Sequence, residues 1–239
     1  MQNRKVFEIR NKLKQDKSTL SGQIPELPAL PILPETLLCM ELSLCERVLS
    51  LSELAEVVLR DPGATIQIMR QAGHEGEALT GSFERIEDCI SALGVEVCFD
   101  AIAHDAAIQA GQRLEIRHAW GHAREVARNC EQLAQESRGA INPSDAYLVG
   151  LLHELDGMPA LCGWTAQLKQ VEFSPSALAR AWSLPRSVQE YWLEQRDPAA
   201  RTHWSELVRG AHKMQKLQQL TPAPIAHSAE DEPRRFYAM

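Results

Sequence analysis

Four of the thirteen prolines in this 239-residue chain, Pro34, Pro62, Pro143 and Pro175, stand at the expected starts of helices. A proline is welcome in the first helical turn, where its missing N–H would go unpaired anyway. After Pro34, apolar Leu37, Leu38, Leu42, Cys45, Val48 and Leu49 recur at three- and four-residue steps, the spacing of one helical face. Asp61-Pro62 and Asn142-Pro143 add an N-cap side chain to the proline. Ser50-Leu51-Ser52-Glu53 is a capping box in which serine and glutamate each satisfy a backbone N–H. A chain punctuated this way, with no convincing strand and no internal repeat, is expected to be all-α.

The remaining pattern divides the chain. Residues 1–22 form a leader that is basic over 4–17, read as a solvated amphipathic helix with a docking arm for an acidic partner as the alternative. Pro25, Pro28, Pro31 and Pro34 predict an extended strap over the surface. A first helical lobe is expected over 23–112. In it the helix begun at Pro62 stops near Gly73, 73–82 form a loop, Ile86, Cys89, Ile90 and Leu93 form a stripe closed by Gly94, and an apolar helix covers Val95–Ala110. A second lobe is expected over 113–220, with a long Ala-rich helix at 117–137 marked by Trp120, Ala123, Ala127, Cys130 and Ala134. A helix containing His153 and Glu154 follows, then a helix from Pro175 to Trp182, another from Val188, and a last one over about Thr202–Leu220. The end, 221–239, reads as a disordered tail.

Composition removes several function classes. A net charge of −7 offers no face for nucleic acid. No apolar run approaches the ~20 residues of a membrane span, and no apolar signal core follows the N-terminus, so a cytoplasmic address and no membrane partner are expected. Six cysteines without a C-x-x-C pair read as reduced core residues. The five tryptophans, all in the second lobe, read as its core, with one or two, and Tyr191, available to a partner groove.

Motifs spread along the chain carry a resemblance. They are Leu27-Pro28-x-Leu30-Pro31, Ser50-Leu51-x-Glu53-Leu54-Ala55, Arg60-Asp61-Pro62 and Ile86-x-x-Cys89-Ile90-x-x-Leu93-Gly94, then Trp120-x-His122, Gly150-Leu151-Leu152-His153, Trp182-x-Leu184-Pro185 and Asp197-Pro198. Together they resemble the HD-related output domain (HDOD) family, a relative of the HD phosphohydrolases. The resemblance implies a two-lobed helical bundle with an HD-like second lobe, and a role as an output or scaffolding module in bacterial signalling. In HD enzymes neighbouring His and Asp ligate a metal that activates water. Here the candidate positions are His118, His122, His153, Glu154 and Asp156, and the carboxylate after His153 is a glutamate, whose extra methylene exceeds the ~0.2 Å tolerance of a metal–ligand bond. Gly73-His74 replaces the family's Asn-Ser, and Gln195-Arg196 its His-His.

Two histidines and one over-long carboxylate lead to the expectation of a vestigial site, with no metal, no cofactor and no catalysis. His122, His153 and Glu154 are expected to hydrogen-bond to one another and to floor a groove between the lobes. Its occupant is expected to be a protein partner, with a nucleotide ligand as a possible alternative. The competing functions are a metal-dependent phosphohydrolase or cyclic-dinucleotide phosphodiesterase, and a nucleotide-sensing module. His104-Asp105, in the first lobe's apolar helix without partner ligands, reads as a solvent-facing pair. No serine elbow or Gly-rich phosphate loop is present.

Overall fold

The computed structural model describes residues 30–46, 49–76, 83–103, 113–137, 139–162, 174–196 and 203–220. The basic leader, Pro25, Pro28, His104-Asp105, the lobe boundary near 112, Trp164, Asp197-Pro198 and the tail from 221 lie outside them. The described elements are all helical: α1 (Pro34–Glu46), α2 (Leu51–Val58), α3 (Pro62–Gly76), α4 (Ile86–Leu93), α5 (Val95–Ala103), α6 (Arg113–Glu136), α7 (Pro143–Leu151), α8 (Met158–Leu161), α9 (Pro175–Ala181), α10 (Arg186–Arg196) and α11 (His203–Leu220). No strand occurs among the described residues. Helices α1–α5 pack chiefly on one another, as do α6–α11, and one buried apolar cluster runs through both sets, from Leu30 to Ala211.

Caps set most of the boundaries. Ser50 and Glu53 exchange both bonds of the capping box at the start of α2, Asn142 Oδ1 accepts from Ser144 N–H at the start of α7, and Gly94 closes α4 with φ +80°. Asp61 caps α3 by accepting from Ala64 N–H at 3.2 Å. It also accepts from Leu33 N–H at 2.7 Å and from the Trp120 indole at 2.9 Å, so one buried carboxylate joins the N-terminal segment, α3 and α6.

Four sequence expectations change. Leu30, Ile32 and Leu33 are buried, as is Pro31, so this stretch is a core segment and not a surface strap; the Leu33–Asp61 bond supplies the polar anchor such burial needs. The inner face of α1 is Thr36, Met40 and Ser43, while Leu38 and Leu42 are about half exposed and Cys45 is exposed. The buried segment leading into α1 fixes its rotation, and the leucine row falls outside. Cys89, Cys98 and Cys130 are the buried thiols, and all six cysteines are free.

Helix α3 does not stop at Gly73 but continues to Gly76. A Cβ at position 73 would lie 2.4 Å from Ser183 Cβ, so the glycine serves close approach and not termination. Helices α6 and α7 meet in the same manner. A Cβ at Gly150 would lie 2.7 Å from Ala127 Cα, and the row Trp120, Ala123, Ala127, Cys130 and Ala134 is buried as the sequence predicts. Finally, α7 ends at Leu151, and His153 and Glu154 sit in the turn after it. The reason is local: the His153 ring caps a carbonyl that continuing the helix would have used.

A histidine cluster beside an apolar cleft

His153 is buried, with 6% of its surface exposed. Its Nδ1–H donates to the Gly150 carbonyl at 2.7 Å, which satisfies one of α7's terminal acceptors and fixes the tautomer, leaving the lone pair on Nε2. That Nε2 is buried and accepts no hydrogen bond. The turn itself is held from α10, where the Trp192 indole donates to the Leu152 carbonyl at 3.2 Å.

Two further imidazoles face this nitrogen. His122, from the middle of α6, has its ring centroid 5.4 Å from that of His153, and His212, from α11, lies 4.9 Å from it. His122 and His212 stack at 5.3 Å. Gln215 donates to His122 Nδ1 at 3.2 Å and also to Glu125, which ties α11 to α6 below the rings. Glu154 Oε1 lies 3.6 Å from His122 Nε2 and 3.8 Å from His153 Nε2. Those separations are too long for hydrogen bonds, so the expected mutual hydrogen bonding of His122, His153 and Glu154 is not formed. Burial pushes the His153 imidazolium down to about 4, helped by the neighbouring rings of His212 and His122. Burial also lowers His212, beside His122 and Lys216.

Of the five positions singled out from sequence, the fold therefore gathers His122, His153 and Glu154. His118 is exposed one turn before His122, and Asp156 is exposed and accepts from Gly157 N–H. The sequence reading missed His212. Its one signal was position: it lies four residues after Val208 and beside Ala211, at the edge of the helix's buried row. Among the described residues, His122, His153 and His212 form the one group of three such side chains close enough to share a metal. Three imidazoles with one orphaned, buried nitrogen fit an ion that favours nitrogen donors; the carboxylate-rich set that suits a hard ion is absent from these described residues.

Next to the cluster opens a cleft of about 340 Å³ between the start of α3, α6, the end of α7 and α8. Trp120, Ala123, Leu152, Leu155, Met158 and Leu161 line it, with Glu154 and Asp156 among the lining residues. Glu154 belongs to both cleft and cluster. His122 and His153 are not among the cleft's walls, so the expected floor of histidines is instead Trp120 and aliphatic side chains. No described helix is long and apolar enough to cross a membrane.

Comparison with known proteins agrees with this architecture. The HDOD domain model matches residues 30–173, more than half of the sequence. The chain belongs to the HDOD family. Among solved structures it is similar to the MmoQ response regulator of Methylococcus capsulatus str. Bath. The likeness has a TM-score of 0.58 at 15% identity, covering 81% of this chain and 90% of that one. A fragment of the same regulator, residues 20–298, gives a TM-score of 0.54 at 18% identity over 82% of this chain and 88% of that one. A virulence factor of Campylobacter jejuni aligns with a TM-score of 0.46 at 16% identity, over 80% of this chain and 77% of that one. A search among curated proteins finds no match.

Proposed function

We propose that this protein is a signalling output module that acts by binding another protein and performs no chemistry of its own. The apolar cleft carries this reading. Apolar walls with Trp120 among them and two carboxylates make the composition of a recognition pocket for an anchor side chain flanked by basic residues. Membership in the HDOD family and a fold shared with a response regulator support a place in signal transduction. The setting is the cytoplasm of a bacterial cell. The net charge of −7 supports a protein partner over nucleic acid.

A metal-dependent phosphohydrolase is the second reading, favoured by the meeting of His122, His153 and Glu154. Against it stand the third imidazole, the glutamate in place of aspartate, and Asp156 turned to its own backbone neighbour.

The test is cross-linking from photoreactive residues placed at Leu161 and Asp156 in cells, with and without Glu154→Lys. A discrete partner that is lost on charge reversal, in a protein that remains folded, is the expected result. Charge reversal that leaves both fold and all partner binding unchanged overturns the reading. Phosphoester turnover abolished by His153→Ala would put the second reading in its place.

A further inference from the structure

We propose that His122, His153 and His212, with Glu154 as fourth ligand, bind one divalent transition-metal ion of the zinc class, which pins α6, α11 and the turn after α7 to one another.

Each imidazole comes from a different element, and one ligand atom from each lies within 4.8 Å of the others. The second observation is independent of that proximity. His153 is more than nine-tenths buried, its Nδ1–H is committed to the Gly150 carbonyl, and its Nε2 points into the cluster with no hydrogen-bond partner. A buried acceptor left alone costs ~1–3 kcal/mol, and neither neighbouring ring repairs the loss. A metal ion repairs it directly. The Gly150 bond is also the outer contact that typically fixes the tautomer and orientation of a metal-ligating histidine.

The donor set chooses the ion. Three nitrogens and one carboxylate suit Zn²⁺, Co²⁺ or Ni²⁺ and do not suit Mg²⁺ or Ca²⁺. Zinc–ligand bonds of ~2.0–2.1 Å bring neighbouring donors to about 3.4 Å in a tetrahedron. His122 and His212 are half-buried, and His122 would ligate through Nε2 once Gln215, which now meets its Nδ1, presents its amide oxygen instead, while His153 is already fixed. Glu154 Oε1 lies within 3.8 Å of the His122 and His153 nitrogens but outside the group of mutually close donors, so it would take the fourth position by swinging toward His212. Here the longer side chain of glutamate is an asset. Closed four-coordinate sites are structural, whereas catalytic ones keep a position open for water. The metal site shares Glu154 with the partner reading, but its imidazoles do not line the cleft, so His212→Asn tests the metal without altering the cleft's walls.

The experiment is a calorimetric titration of EDTA-treated full-length protein with Zn²⁺, Co²⁺ and Mg²⁺, read alongside the Co²⁺ absorption spectrum and the melting temperature. One Zn²⁺ per chain, a tetrahedral Co²⁺ spectrum, a raised melting temperature and no Mg²⁺ binding are expected. His212→Asn, whose folding is checked by circular dichroism, is expected to weaken Zn²⁺ binding more than about 100-fold, and His118→Ala to leave it unchanged. No saturable Zn²⁺ binding overturns the proposal. So does a folded His212→Asn that binds as tightly as the wild type, or Mg²⁺ binding as tight as that of Zn²⁺.

Discussion

The Trp120 indole donates to Asp61 Oδ1 at 2.9 Å, and this buried bond joins α6 to the start of α3. The same carboxylate holds Leu33 N–H and Ala64 N–H, so it serves two helices and the buried segment before α1 at once. The nearby Arg117–Glu35 pair is bidentate at 2.7 and 2.9 Å, but both side chains are half in water, and it contributes under ~1 kcal/mol. The weight of this junction rests on Asp61.

Asp61→Ala strands four buried donors, from Leu33, Thr36, Ala64 and Trp120, and we expect a loss of about 3 kcal/mol or more. Trp120→Phe removes one donor and keeps the ring, at about 1–2 kcal/mol. In the Asp61→Ala background Trp120→Phe should cost markedly less, since its partner is already gone. Urea unfolding of the two single variants and the double variant measures this; additive costs would show that the bond does not couple the helices.

Burial holds the Asp61 carboxyl up at about 6 against an ordinary 3.8, although the Leu33, Ala64, Thr36 and Trp120 donors pull it back. A folded acid that keeps its proton longer than the unfolded chain favours folding at low pH. Its stabilising effect is full below the unfolded value and is lost as pH rises through about 6. His153, held down at about 4 from 6.5, works in the opposite sense, because stability is lost as pH falls from 6.5 toward 4. In metal-free protein the two slopes oppose each other between about pH 4 and 6. Asp61→Asn should therefore show stability that climbs with pH across this window, and His153→Asn stability that declines. Urea midpoints at several pH values decide it, and parallel profiles for the two variants would refute the opposition.

Gly73 and Ser183 form a second close pair. Ser183 Cβ and Oγ lie 2.4 and 2.6 Å from where a Cβ at position 73 would stand, and Ser183 holds a φ of +52°. Gly73→Ala should destabilise by about 1–3 kcal/mol through overpacking. Ser183→Gly removes both obstructing atoms and relieves a left-handed backbone, worth about 1 kcal/mol. The double variant should recover most of the loss, read as melting temperatures in a double-mutant cycle. Failure of Ser183→Gly to rescue would mean that the clash is absorbed elsewhere.

What the sequence made legible was local. Ser50 with Glu53, and Asn142 with Pro143, state helix starts in the vocabulary of neighbouring residues, and both form as written. Tertiary choices were less visible. In α1 the sequence offered one apolar row, but the burial of Leu30–Leu33, which no periodicity announces, turned the face of Thr36, Met40 and Ser43 inward and left Leu38 and Leu42 half exposed. At Gly73 the usual helical cost of glycine argued for a stop, whereas the need for room beside Ser183 decided otherwise. The site divides in the same way. His122 and His153 stood in motifs, but His212 arrives on a distant helix whose sequence gives only a histidine at the edge of a buried face.

At Ala127 and Gly150, α6 and α7 touch backbone to backbone, with no side-chain cushion on which one could slide past the other. The two helices are therefore a single stiff beam. The cleft has that beam on one side and, on the other, the short turn of residues 152–157 with α8. Any yielding of the cleft would therefore fall on the short side, where α11 and α10 hold the turn through His212 and Trp192.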